Sequence, residues 1–335
     1  MSSSVHSRRD FLAIVATVGL TSTTGTLQVK AATNDMKKTF TILHTNDMHS
    51  AFIGMAPAAD YSPFVLNDDA TRGGYARLAG LIAQRKDARA DQGPVLVLDA
   101  GDFSMGTAFG AASRETGGEL RIMALMGYDA TTFGNHEFDL GPDGLGTAIG
   151  VAAKAGRLPH VLPSNTILSD ADATLGPLQR LVTEGVIRRH VVIERGGIRF
   201  GIFGVLGKEA QFYTTGAGAV SFSDPIETAR EIVTILRETE KVDVVICLSH
   251  GGLEKGKDGR YTDGDDVRLA KAVPGIDVVI GGHSHTELKD AIIVNDHTPV
   301  VQTGKEGQNL AACRTRDFRS NLATPVAVIE LSVAP

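Results

Sequence analysis

Apolar residues recur along this chain in short, nearly unbroken runs, and most of the runs stop at glycine, histidine and carboxylate residues. A continuous run of aliphatic and β-branched residues is the pattern of a strand buried on both faces. Such runs occupy residues 39–44, 94–100, 128–133, 243–248 and 276–280, with a shorter one at 160–163. Residues 189–194 and 198–205 read as a hairpin across Gly196-Gly197. Helical spacing appears at 75–89, where Leu78, Leu81 and Ile82 share one side, and helices are expected at 119–126, 148–155 and 263–273. Asp224-Pro225 supplies an N-cap and a first-turn proline for a helix to residue 240. Gly141-Pro142 reads as a turn, and residues 50–74 as a lid or site-lining loop. Strands alternating with helices predict an α/β protein.

Length and composition agree with this pattern. The 335 residues suffice for one large α/β domain or two small ones, and 42% hydrophobic content with 38 glycines is globular. Formal charge is −6. The N-terminal segment holds Arg8, Arg9 and Lys30 against Asp10, so the rest carries −8, from 30 basic and 38 acidic residues. That balance provides no footprint for a nucleic-acid polymer. The segment itself, Ser7-Arg8-Arg9-Asp10-Phe11-Leu12 with an apolar run to Leu20 and small residues around Val29-Lys30-Ala31, resembles a twin-arginine export leader. The run is shorter than the roughly 20 residues a membrane-spanning helix needs. Residues 1–31 are therefore expected to be a signal peptide, read by the twin-arginine (Tat) translocase. A mature chain 32–335 would follow in the periplasm or outside the cell, with no stable membrane insertion. Cys247 reads as a small core residue, and a disulfide to Cys313 would need the tail to return over the sheet.

The chemistry lies where the runs end. Val278-Val279-Ile280 breaks into Gly281-Gly282-His283-Ser284-His285, and alternate residues of an extended chain face the same way, so His283 and His285 can reach one small volume. Asp47 and His49 repeat that spacing after the first run, Asp102 follows the second, Asn135 and His136 the third, and His250 the fourth. Gathered at one edge of one sheet, these groups would be desolvated and, once protonated, mutually repulsive. Divalent cations remove that objection. Seven ligands, Asp47, His49, Asp102, Asn135, His250, His283 and His285, give each of two ions about four protein donors if Asp102 bridges. Two carboxylates against four positive charges leave an excess of two, which stabilises a bridging hydroxide and attracts an oxyanion. The reaction class that follows is in-line attack of metal-bound hydroxide on a phosphoryl centre.

Asp47-x-His49, Gly101-Asp102, Gly134-Asn135-His136-Glu137, His250-Gly251-Gly252 and Gly282-His283-Ser284-His285, in this order, resemble the motif series of the calcineurin-like metallophosphoesterases. His44-Thr45-Asn46-Asp47, Gly73-Gly74-Tyr75-Ala76-Arg77-Leu78 and the extension to Phe138-Asp139 narrow the resemblance to the 5′-nucleotidase branch, which includes bacterial UDP-sugar hydrolases. The resemblance implies a four-layer α/β/β/α sandwich. It also implies one metal on Asp47, His49, Asp102 and His285, and another on Asp102, Asn135, His250 and His283. His136, next to the ligand set and oriented by Asp139, would neutralise the transition state or protonate the leaving alkoxide. The substrate would be a small phosphate ester or nucleotide. The two metals could be manganese, iron, cobalt or zinc. The likeness runs to about residue 310, the tail 311–335 departs from it apart from a strand-like pattern at 324–333, and the branch's C-terminal nucleotide-binding domain is expected to be absent. Two other readings stay open: a catalytically idle metal-binding remnant, and an enzyme like the exported sulfate thiohydrolases.

Overall fold

The computed structural model describes residues 39–54, 72–315 and 326–332, the last of these by backbone alone; the leader, most of the 50–74 loop and residues 316–325 lie outside the described residues. In chain order, strand β1 (Thr41–Thr45) leads to helix α1 (Tyr75–Asp87), β2 (Val95–Asp99), α2 (Gly118–Met126), β3 (Ala130–Thr131), α3 (Gly141–Ala155), β4 (His160–Val161) and α4 (Gly176–Thr183). The hairpin β5 (His190–Arg195) and β6 (Ile198–Leu206) follows, then α5 (Pro225–Thr234), β7 (Val244–His250), α6 (Asp265–Ala272) and β8 (Val278–Gly281). Strands β9 (Ile292–Val294), β10 (Thr298–Val301), β11 (Asn309–Thr315) and β12 (Val326–Ser332) are the last members of the two large sheets.

These strands form two six-stranded sheets, ordered β12-β11-β1-β2-β3-β4 and β9-β10-β8-β7-β6-β5. Strands β1 to β4 are mutually parallel, as are β6, β7, β8 and β10, while the outer strands β5, β9, β11 and β12 run antiparallel to their neighbours. The expectation of a single sheet edge is thereby corrected. A strand buried on both faces has the same sequence pattern whether one sheet or two carries it.

Alternate residues of each strand serve different cores. Ile42, Leu96, Leu98, Phe200, Ile202, Ile246 and Ile280 pack together between the sheets. Leu43 and Val97 face the other way, onto Leu78, Ile82, Met123 and Ile149 of the helices. Phe203, Val245, Cys247 and Val279 turn outward onto Ile232 and Leu269. Helix, sheet, sheet and helix are therefore the four layers, as the resemblance implies. Cys247 and Cys313 are both buried free thiols and lie in different cores.

Local chemistry explains most element ends. The Asp224 carboxylate accepts from Ile226 N and Glu227 N, and Pro225 follows it, as the sequence predicts. That helix is α-helical only to Thr234, and a π-helical segment Ile235–Thr239 follows. Helix α3 starts at Gly141, seven residues before the expected position, because Pro142 sits in the first turn, where its missing N–H removes no helical bond. Strand β11 runs through residue 311, where the family pattern breaks, and pairs with β1 from His44↔Ala311 to Thr41↔Arg314. No helix among the described residues is long and apolar enough to cross a membrane.

His44 is fully buried in β1 with neither ring nitrogen hydrogen-bonded, and burial pulls its pKa down to about 3. The unfolded chain takes up a proton there below pH 6.5, and the folded chain does not until about pH 3. Stability therefore falls as pH drops through that window, by up to about 1.4 kcal/mol per pH unit from this residue. Urea denaturation of His44→Leu is expected to show a shallower loss between pH 6.5 and 4; an unchanged pH slope would contradict this.

Candidate metal centre

The two sheets bring the ends of five strands together: β1, β2 and β3 from one, β7 and β8 from the other. Asp99, the last residue of β2, ties three of them by accepting from Thr45 Oγ1 (2.8 Å), Thr131 Oγ1 (2.8 Å) and Gly101 N (3.0 Å). Beyond the strands the backbone leaves the extended region. Asp47, His49, Asp102, His283 and His285 all have positive φ, between 46° and 74°. Left-handed backbone is costly for such residues and concentrates at functional sites. The alternation argument for His283 and His285 is thus corrected, because β8 ends at Gly281 and both histidines lie beyond it in left-handed backbone.

All seven expected ligands converge. Asp102 Oδ2 lies 3.1 Å from His250 Nε2 and 3.5 Å from His49 Nε2. Asp47 Oδ1 is 3.4 Å from His285 Nε2 and 4.0 Å from His250 Nε2. Asn135 Oδ1 meets His283 Nδ1 at 2.9 Å. The rings of His49 and His285 are 4.9 Å apart, and those of His250 and His283 5.4 Å. The histidines therefore divide into two pairs with Asp102 reaching one member of each. His136 stands beside them, a ring nitrogen within 4.8 Å of His49 and Asp102 ligand atoms, and its Nδ1 lies 2.6 Å from Asp139 Oδ2. Ser284 points away, accepting from Leu253 N.

The electrostatics ask for positive charge. Asp47 and Asp102 are 0% and 1% exposed, and His250 is 0% exposed. Burial opposes charge on Asp102, yet the His250 and His49 imidazoles hold it below the usual carboxylate range. Burial likewise opposes charge on His250, but the Asp102 and Asp47 carboxylates raise its pKa. His283 is pulled down to about 4, first by burial and then by His250. For His136 the pull of burial is outweighed by Asp102 and Asp139, and its pKa rises.

The donors fit a divalent cation. His250 Nδ1 donates to Ala100 O at 2.8 Å, which orients the ring and leaves Nε2 as the atom a metal would take once its proton is displaced. That Nε2 is buried and has no aligned hydrogen bond, although two carboxylates lie within 4.0 Å. Glycine is required alongside: a Cβ on Gly134 would stand 2.6 Å from His250 Nε2, and one on Gly282 would stand 2.7 Å from His250 Nδ1. Imidazole and carboxylate donors of this mix suit first-row divalent metals.

Three supporting residues escaped the sequence reading. Glu137, 2% exposed, accepts from Asp102 N (2.9 Å), Gly134 N (2.6 Å), Ser104 N (3.0 Å) and Ser104 Oγ (3.1 Å). Asn46 Nδ2 donates to Asp47 Oδ2 and Gly304 O, and its Oδ1 accepts from Thr303, clamping a distant loop to β1. Asp266 takes the Ser249 hydroxyl at 2.7 Å beneath the His250 loop. Only the placing of Glu137 and Asn46 inside polar motifs hinted at them; Asp266 gave no signal.

The family profile described as Calcineurin-like phosphoesterase matches residues 40–287. The chain belongs to that family. It is 30% identical to the trifunctional nucleotide phosphoesterase protein YfkN of Bacillus subtilis over 290 residues, 81% of this chain and 17% of that protein. It is 35% identical to 5′-nucleotidase of Mus musculus over 249 residues, 74% of this chain and 38% of that protein. Among solved structures, a 5′-nucleotidase precursor from Thermus thermophilus superposes with a TM-score of 0.64 at 29% identity, covering 89% of this chain and 56% of that one. The chain thus spans well under half the length of these two curated relatives. Calcineurin-like phosphoesterases use divalent metals, and the carboxylate and imidazole groups gathered here are candidates to hold them.

Glu137→Ala would leave the buried Asp102 and Gly134 N–H groups and the half-buried Ser104 N–H without their acceptor. Unfolding free energy is expected to fall by on the order of 3 kcal/mol in urea titrations; a loss below about 1 kcal/mol would show that the carboxylate does not hold the Asp102 turn.

Proposed function

We propose that this chain is an exported two-metal phosphomonoesterase of the 5′-nucleotidase type, acting on small phosphate esters or nucleotides. The observation that carries the reading is the position of Asp102, whose single oxygen Oδ2 stands between His49 and His250. In this reading Asp47, His49, Asp102 and His285 hold one cation, and Asp102, Asn135, His250 and His283 hold the other. Divalent cations bound there supply Lewis acidity toward a phosphoryl group and an activated water. Everything else is work for the chain's own residues. The Asp102 main chain is anchored by Glu137, and its Oδ1 accepts from His136 N at 2.9 Å, so the shared carboxylate cannot swing. Asp47 is held by His283 N, at 3.1 Å from each oxygen.

His136 serves as the proton donor to the leaving oxygen. Its Nδ1 is taken by Asp139, which leaves Nε2 for substrate, and the surrounding carboxylates favour the protonated ring. The twin-arginine leader adds a proposal about metal choice. Folding before export would load the site in the cytoplasm, where a weaker-binding ion such as manganese can be selected over zinc. Release into the periplasm follows removal of residues 1–31.

Dialysis against a chelator is expected to abolish p-nitrophenyl phosphate hydrolysis, with recovery on adding manganese; failure of manganese, iron, cobalt and zinc alike to restore turnover would contradict the proposal and favour an idle remnant. His136→Asn is expected to lower turnover at least tenfold with metal content intact, as read by elemental analysis. Unchanged turnover would reject the role of His136.

A further inference from the structure

Beside His136 a cavity of about 300 Å³ opens between the segment following β2 and the first half of α3. Phe103, Leu120, Leu145 and Ile149, each at most 4% exposed, form its walls. Met105 and Leu140, 41% and 45% exposed, stand at its mouth. Its polar lining groups are occupied with one another. Glu119 accepts from Ser50 and Ser113, both at 2.7 Å, Ser104 donates to Glu137, and Thr107 donates to Ser50 O. The exceptions are the facing pair His136 and Asp139: Nδ1 of the one engages Oδ2 of the other, while the second ring nitrogen and the second carboxylate oxygen have no hydrogen-bond partner among the described residues. Met105 itself is held at φ 75°, a left-handed backbone that keeps this wall folded over the site.

We infer that this cavity receives the carbon framework of the leaving group, and that it selects aryl or otherwise apolar phosphomonoesters over polyhydroxylated ones. The inference rests on the phosphomonoesterase reading and narrows it: among the small phosphate esters and nucleotides named there, it places aryl esters ahead of nucleotides, whose ribose hydroxyls the cavity disfavours. A leaving oxygen protonated by His136 has its carbon substituent directed alongside that ring, and the cavity is the apolar space on that side. An apolar cavity of about 150 Å³ holds benzene, so about 300 Å³ accommodates two fused rings. Sugar hydroxyls placed against Phe103, Leu120, Leu145 and Ile149, away from the His136–Asp139 pair, would lose water without gaining a partner, which penalises them.

The test uses the full chain, with 2-naphthol as the equilibrium probe and two esters as kinetic probes, 2-naphthyl phosphate and glycerol 2-phosphate. Ala111→Trp fills the cavity from its exposed wall, and Ala148→Leu fills it from α3. Saturable naphthol binding by fluorescence is expected for the wild type, weakened at least tenfold in either variant. The ratio of kcat/KM for naphthyl phosphate to that for glycerol 2-phosphate is expected to fall at least tenfold as well. Efficient hydrolysis of both esters without naphthol binding, or filled variants with unchanged affinity and ratio, would overturn the cavity's role and leave the phosphomonoesterase reading standing. Naphthol binding by a metal-loaded wild type that hydrolyses neither ester would overturn that reading and the leaving-group role with it.

Discussion

Two carboxylates out of contact with water are the constraint on which this structure turns. Asp47 and Asp102 are buried among imidazoles at the meeting of two sheets, where an unneutralised negative charge is costly. In the protein alone, the nearest answer is a proton on His250, which the carboxylates favour against the pull of burial. A divalent cation answers the same demand with more charge and displaces the proton as it binds. The surrounding backbone accepts several left-handed residues where the proposed ligands stand, Glu137 accepts from the Asp102 and Gly134 turns, and Asn46 ties the Asp47 carboxylate to the loop at Thr303.

The architecture follows from the same demand. Parallel strands deliver side chains at their carboxyl ends, where open α/β folds place ligands, and a second sheet doubles the number of ends available at one point. The layer between the sheets, built on Phe40, Phe200, Ile246 and Ile280, sets their spacing and so the distance between Asp102 and His250. The apolar cavity beside His136 lies outside that layer, where the chain after β2 folds over α3. Charge is handled at the sheet edge and carbon framework at the helix layer.

Much of this was legible in the sequence, for physical reasons that can be named. Runs such as residues 243–248 announce strands because both faces are apolar, and Asp224-Pro225 announces a helix start because a carboxylate followed by proline suits the first turn. The convergence of the seven proposed ligand residues was legible because each follows a run. The two-sheet arrangement could be had only through the family likeness, since Ile42 and Leu43 look alike in sequence and serve different cores. Gly141-Pro142 was ambiguous, because proline favours turns and helix starts equally. Short helices such as Ala108–Ala111 and Ser113–Thr116 carry too few residues for a periodic signal, and they bound the cavity that no motif announced.

The central claim is that Asp102 belongs to two cations at once. Equilibrium metal titration of the metal-free chain, with ions bound per chain counted by elemental analysis, tests it most directly. Two ions are predicted for the wild type, and Asp102→Ala is predicted to weaken both sites together. A single ion in the wild type, or two sites of which Asp102→Ala disturbs only one, would contradict the account.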